Sequence, residues 1–258
     1  MKVVILAGGF GTRLGEFTDV IPKPMVQIGN KPIIWHIMKN FSSFGLKDFY
    51  VALGYKADVI KSYFSSYASM KSDFCVDLGT GIITPIGDPM DGVDWRVRMV
   101  ETGEQTMTGG RLKRLKAFLS EGPFILTYGD GLSNVDIQKL VAFHRSHGKL
   151  VTITAVRPAA RFGELDLVDD QVTAFQEKPQ TRDGWINGGF FVMEPGFLDY
   201  LDSDETVLEA EPLKKLSAAG ELMAFKHDGF WQCMDTKRDK DLLEKMLVSG
   251  KAPWQTFE

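Results

Sequence analysis

Cysteine is nearly absent. The 258-residue chain has two, Cys75 and Cys233, and their spacing suggests neither a disulfide framework nor a metal site. Reduced thiols in a cytoplasmic protein are the expectation. Long hydrophobic runs are missing as well. Nothing approaches the ~20 apolar residues of a membrane helix, and the run at residues 3–6 is too short for the core of a signal peptide. No charge of one sign dominates: 30 Lys and Arg against 34 Asp and Glu leave a net charge of −4, which gives no electrostatic footprint for nucleic acid. The four histidines, His36, His144, His147 and His227, share no metal-ligand spacing with cysteine or carboxylate. Neither a short tandem repeat nor a low-complexity linker is evident. What remains is a chain with 44% hydrophobic residues. It can form one large α/β domain, or a core with a small appended subdomain.

The richest stretch is at the start. The apolar run ending at Leu6 feeds into Ala7-Gly8-Gly9-Phe10-Gly11-Thr12-Arg13-Leu14, and Pro22-Lys23-Pro24 follows. A buried strand ending in a glycine-rich turn presents backbone N–H groups at its carboxyl end, where open α/β sheets bind ligands. Glycine admits positive φ and a close ligand approach. With Arg13 and Lys23 beside those amides, the group served is a polyphosphate. Two familiar loops are excluded. A Walker loop needs Gly-Lys-Ser/Thr, and Gly11 is followed by Thr12-Arg13. A dinucleotide fingerprint needs a third glycine where Leu14 stands.

Strand-like and helix-like segments alternate through the first part of the chain. Apolar residues at helical spacing predict a helix at 32–44, closed by Gly45. Strands are expected at 48–53, 95–101, 123–128 and 151–156, and helices at 58–67, 110–119 and 136–147. Residues 80–94, rich in Gly, Pro and Asp, read as a loop or insertion. Strands at 164–168, 172–176 and 185–193 follow, then a helix at 209–219, two short strands around Gly229 and a last helix at 236–247. This predicts an α/β fold: a Rossmann-like, mostly parallel sheet flanked by helices, with antiparallel strands added in the second half that cover one end. One domain spans 1–258. Residues 1–150 face mainly one ligand, 151–235 mainly a second, and 236–258 form a C-terminal helix and tail.

Several further residues suit ligand chemistry. Asp130 follows an apolar strand and points its carboxylate into the crevice, where Mg²⁺ takes one or two carboxylates plus substrate phosphates. Asp235 reads first as a helix N-cap. Glu177-Lys178-Pro179 reads first as a charged turn. Asn187-Gly188-Gly189 interrupts an apolar strand, as glycines do at a bulge or a close approach to ligand. Asn187 can offer both donor and acceptor. Arg157 and Arg161-Phe162-Gly163-Glu164 flank a proline-marked loop before that region and are candidate substrate-side residues.

Taken together, residues 6–23, Asp130, Glu177-Lys178-Pro179, Asn187-Gly188-Gly189 and Asp235 resemble the sugar-1-phosphate nucleotidyltransferases over nearly the whole chain. Met107-Thr108-Gly109-Gly110-Arg111-Leu112-Lys113-Arg114 and Gly250-Lys251-Ala252-Pro253-Trp254 most resemble the members that use CTP and glucose 1-phosphate. The resemblance implies Arg13 and Lys23 as catalytic residues. It implies Leu6, Ala7, Gly8, Gly9, Gly11, Thr12, Arg13, Lys23, Gln105, Gly110, Arg111 and Gly129 at the nucleotide. Tyr128, Glu177, Lys178, Asn187, Gly188 and Gly189 would meet the sugar phosphate. Asp130 and Asp235 would hold Mg²⁺, reversing the capping reading of Asp235. A cytosine base needs an acceptor for N4 and a donor for N3. Backbone near Gly8 and Gly110, or the side chains of Gln105 and Arg111, could supply them. The family also implies a homo-oligomer and a product for deoxysugar or O-antigen-type polysaccharides. Rival readings are UTP or dTTP with glucose 1-phosphate, GTP with mannose 1-phosphate, a non-catalytic regulatory subunit and, more distantly, an NAD-dependent oxidoreductase.

Overall fold

The computed structural model describes residues 1–14, 18, 20–87, 92–158, 164–168, 171–176 and 184–255. Strands β1 (Lys2–Leu6), β2 (Asp48–Leu53), β3 (Arg96–Glu101), β4 (Phe124–Tyr128), β5 (Val151–Val156), β6 (Ile186–Met193) and β7 (Leu222–His227) form one sheet. Their order is β7-β5-β6-β4-β1-β2-β3. Within this sheet β6 runs antiparallel to β5 and β4, and the other described pairings are parallel. The helices are α1 (Ile33–Ser43), α2 (Ala57–Ser65), α3 (Thr108–Arg114), α4 (Lys116–Leu119), α5 (Ile137–His147), α6 (Glu211–Ala218) and α7 (Lys237–Val248).

The apolar run of β1 explains the layering. Val3, Val4 and Ile5 are all wholly buried, because a central parallel strand is covered on both faces. Successive side chains point to opposite faces. Val3 and Ile5 pack with Ile33, Ile37 and Phe41 of α1, Leu140 of α5 and Leu243 of α7. Val4 and Leu6 pack with Leu112 of α3, Leu119 of α4 and Leu216 of α6. Each such side chain, fully buried, contributes ~1.5–3 kcal/mol. The expected sheet flanked by helices is therefore the architecture found.

Caps mark the helix ends. Gly45 lies just past α1 at φ +78° and donates to Ser42 O at 2.9 Å. Asp136 caps α5, accepting from Lys139 N at 3.0 Å. At α7 the cap is Thr236, in a reciprocal box with Asp239, so Asp235 is released from that task.

Three expectations are corrected. Residues 80–94 are not simply loop: Ile82–Ile86 pairs antiparallel with Asp73–Asp77 in a hairpin outside the main sheet. Pro85 is tolerated there because a two-stranded ladder leaves each strand an unpaired edge. The helix expected at 110–119 is divided at Leu115 into α3 and α4. The antiparallel additions do not merely cover one end. β6 sits inside the sheet between β5 and β4, and Glu164–Val168 with Gln171–Gln176 forms a separate two-stranded sheet.

Thr236→Ala removes the cap of α7. It is expected to lower stability by about 1 kcal/mol, seen as a lower urea midpoint at unchanged slope.

Candidate active site

The chain leaves β1 toward β2 on one side, while β4 lies on the other. This reversal point is where open α/β sheets place ligands. Leu6 and Tyr128 are register partners at the carboxyl ends of β1 and β4, which sets the glycine loop beside Gly129 and Asp130. A cavity of about 400 Å³ opens there. Leu6, Ala7, Gly8, Gly9, Gly11, Lys23, Gln105, Arg111, Tyr128, Gly129 and Asp130 are among its walls.

At its floor a lysine lies between two carboxylates. The Lys23 Nζ donates to Asp130 Oδ2 at 2.5 Å and to Asp235 Oδ1 at 2.6 Å. Lys23 begins a single helical turn, Lys23–Met25. Asp130 follows β4. Asp235 is carried in by Trp231–Cys233, which pairs antiparallel with Gly131–Ser133, and Met234 N donates to Asp130 O at 2.9 Å. Burial by itself would lower the lysine pKa. The attraction of Asp130 and Asp235 outweighs it and holds the ammonium above the ordinary lysine value.

Arg111 builds the opposite wall. Its guanidinium donates to Leu53 O at 2.9 Å, Thr102 Oγ1 at 2.9 Å, Gly103 O at 2.6 Å, Gly8 O at 2.8 Å and Glu104 O at 3.0 Å. It thus ties together the segments that follow β1, β2 and β3. Burial lowers its pKa from the usual arginine value, and the charge of Arg114 adds to the effect. The glycines take their meaning from this wall. A Cβ on Gly8 would meet the guanidinium at 2.2 Å, whereas one on Gly9 would point into open space. Gly8 O already accepts from both Arg111 and Tyr55 N.

Not every expected residue meets the cavity. Gly110 packs against the backbone of Asp204, at 2.4 Å from a built Cβ, and donates its N–H to Thr206 O at 3.1 Å. That N–H is therefore engaged away from the cavity. Thr12 and Arg13 form the turn Thr12–Leu14 just past the loop, and the side chain of Arg13 is outside the description. Glu177, Lys178 and Pro179 lie outside the described residues, as do Arg161, Phe162 and Gly163. Arg157 stacks over the Trp185 ring at 4.5 Å.

On the second side, Asn187 Nδ2 donates to the Tyr128 hydroxyl at 3.2 Å, and Asn187 Oδ1 accepts from Gly189 N at 2.8 Å. Gly189 has φ +81°, and a Cβ there would enter the Tyr128 ring at 2.4 Å. Gly188 clears Val156, at 2.7 Å from a built Cβ. The Tyr128 hydroxyl donates to Glu209, a residue that no motif in the sequence marks. Among the described residues, no cluster of three His, Cys, Asp or Glu is placed to hold a metal. Among the described residues, a cation here would rest on Asp130 and Asp235. Because both reach one ammonium, they can converge on one cation, and hard oxygen donors suit Mg²⁺.

Residues 2–246 match the nucleotidyl transferase family. The chain is 51% identical over 259 residues to glucose-1-phosphate cytidylyltransferase of Salmonella typhi, covering 100% of both chains. It is 41% identical over 258 residues to the probable glucose-1-phosphate cytidylyltransferase of Bacillus subtilis, again covering 100% of both. The crystal structure of HddC from Yersinia pseudotuberculosis is similar with a TM-score of 0.70 and 26% identity, covering 95% of this chain and 99% of that one. HddC complexed with GMP-PN gives the same figures.

Arg111→Met removes the donor shared by Leu53 O, Gly8 O, Gly103 O, Glu104 O and Thr102 Oγ1. A hydrogen bond from a charged group contributes ~1.5–3 kcal/mol. The variant should show a clearly lower denaturation midpoint, whereas Lys113→Met on the same helix should not.

Proposed function

The chain belongs to the nucleotidyl transferase family, and on that premise we propose how its cavity joins CTP to glucose 1-phosphate. It is a glucose-1-phosphate cytidylyltransferase in activity, releasing CDP-glucose and pyrophosphate, as its full-length identity to the Salmonella enzyme supports. The geometric observation that carries the chemistry is Lys23 between Asp130 and Asp235 at the mouth of the glycine loop.

A sugar-phosphate oxygen attacks the α-phosphorus of CTP. The bond from that phosphorus to the oxygen bridging toward the β-phosphate breaks, and pyrophosphate leaves. The nucleophile is already an anion, so the site needs no strong base. It must instead hold two anions that repel each other in line. Amides of the loop at Gly9 and Gly11 and the charge of Arg13 bind the triphosphate. Lys23 stabilises charge growing on the α-phosphate; losing one such donor costs roughly 3–4 kcal/mol in the transition state. Asp130 and Asp235 would hold Mg²⁺, which supplies charge neutralisation on the phosphates. Glu177 and Lys178 serve the sugar hydroxyls and phosphate, and Asn187 offers an amide hydrogen beside Tyr128.

Base reading falls to Gln105. The Arg111 guanidinium is committed to five oxygens and Gly8 O accepts twice. Gln105 lines the cavity, and its amide carries both the acceptor and the donor that cytosine requires. The nucleotide half at 1–150 and the sugar half at 151–235 share one sheet, which supports a single catalytic domain. No described helix is long and apolar enough to cross a membrane. A cytoplasmic enzyme supplying polysaccharide precursors is the reading we adopt.

We also propose a homo-oligomer. In the hairpin Asp73–Asp77/Ile82–Ile86, Phe74, Val76, Ile83 and Pro85 share one wholly apolar face, with Phe74 43% and Ile83 51% exposed. An isolated two-stranded hairpin is marginal in water, and a second copy of this face covers it symmetrically.

Two measurements check these readings. Pyrophosphate release from CTP, UTP, dTTP and GTP with glucose 1-phosphate should favour CTP, vanish with EDTA and fall by orders of magnitude in Lys23→Ala; a preference for another triphosphate refutes the assignment. Light scattering of Phe74→Ser/Ile83→Ser should report a smaller particle than the wild type; equal masses refute the hairpin as the interface.

A further inference from the structure

Residues 204–209 are stitched to the start of α3. Met107 N donates to Asp204 O at 2.8 Å, Gly109 N to Thr206 O at 2.9 Å, and Leu208 N to Thr108 Oγ1 at 2.9 Å. Glu209 ends this seam, and its two carboxylate oxygens face different walls of the cavity. Oε2 accepts from the Thr108 hydroxyl at 2.8 Å, on the side that carries Gln105. Oε1 accepts from the Tyr128 hydroxyl, on the side that carries Asn187. Thr108 and Tyr128 both line the cavity. One carboxylate therefore joins the two walls through hydroxyl groups.

The direction of these bonds matters. An ionised carboxylate only accepts, so both hydroxyls must donate to it. With its proton committed to Glu209, the Tyr128 oxygen presents lone pairs to Asn187 Nδ2. Gly189 N engages Asn187 Oδ1 on its other side. The amide of Asn187 is thereby held with nitrogen toward Tyr128 and oxygen toward Gly189. Glutamine has nearly the same shape but brings an NH₂ group to one of the two hydroxyls. That hydroxyl must then turn round, and the order along the chain is lost.

We propose that Glu209 is a positioning residue for cytidylyl transfer, a carboxylate that links Thr108 on the base side to Tyr128 and Asn187 on the sugar side, so that filling one half of the cavity orders the other. This rests on the reading of the cavity as a site for CTP and glucose 1-phosphate.

The test uses the full-length protein. Initial rates give kcat and both KM values, and calorimetry gives glucose 1-phosphate affinity with and without a non-hydrolysable CTP analogue. In the wild type the analogue should tighten glucose 1-phosphate binding. Glu209→Gln should melt with the wild type, raise KM for glucose 1-phosphate about tenfold as expected for loss of a charge-assisted bond, change kcat little, and abolish the tightening. Tyr128→Phe should reproduce the KM effect if Glu209→Gln folds poorly. Thr108→Val, which cuts only the base-side arm, should abolish the tightening while leaving affinity without the analogue near normal. A wild-type KM in Glu209→Gln with the tightening intact overturns the role of Glu209 alone. Wild-type protein with no turnover of CTP and glucose 1-phosphate overturns the assigned reaction itself.

Discussion

The site depends on one ion cluster. Lys23, Asp130 and Asp235 come from three distant parts of the chain and meet within hydrogen-bonding distance. Lys23 is only 8% exposed and Asp235 likewise 8%, so each charge has given up most of its water. Such groups tolerate burial only when paired. An ammonium between two carboxylates leaves the trio one negative charge in excess. That excess suits the site proposed above, which takes a divalent cation together with phosphate anions. It also means that Lys23 has two kinds of partner, the carboxylates without ligand and the α-phosphate in the reaction proposed.

A second cation organises the cavity by other means. Arg111 has five oxygen partners and no carboxylate among them. Its fork of donors collects carbonyls that the ends of three parallel strands leave behind. Leu53 O and Gly8 O also accept from Thr102 and Tyr55 N, so the guanidinium adds a second tie to these strand ends and fixes the first turn of the glycine loop. The two cations thus divide the work. In the reaction proposed, Lys23 faces the reacting groups, while Arg111 holds the frame around them. Glu209 performs a related task across the gap, where hydroxyls rather than carbonyls need a partner.

Much of this could be read along the chain. The run at residues 3–6 followed by glycines located β1 and the loop, because burial on both faces demands continuous apolar residues. Gly45 and Asp136 located helix ends, because capping chemistry is local. Other features left no such mark. Thr236 rather than Asp235 caps α7, a choice between neighbours that depends on where Lys23 lies. The strand Ile82–Ile86 hid behind Gly, Pro and Asp, since a hairpin outside the main sheet need not show the usual burial pattern. Gly8 and Gly110 looked like ligand contacts. Gly8 does line the cavity, yet its missing Cβ clears Arg111; Gly110 gives way to the backbone of Asp204. Glu209 is one acidic residue among many, 81 positions from Tyr128.

The sequence by itself determined the α/β class, the glycine loop, and Lys23 and Asp130 as charged groups beside it. These follow from periodicity, backbone freedom and position at a strand end, all properties of short segments. Only the tertiary structure decided that Asp235 faces Lys23, that Arg111 binds backbone, that β6 runs antiparallel within the sheet, and that Glu209 spans the cavity. Each of these depends on strand register and on contacts between residues far apart in the chain. Such contacts are selected by packing and by the need to satisfy buried polar groups, and no local pattern of residues encodes them.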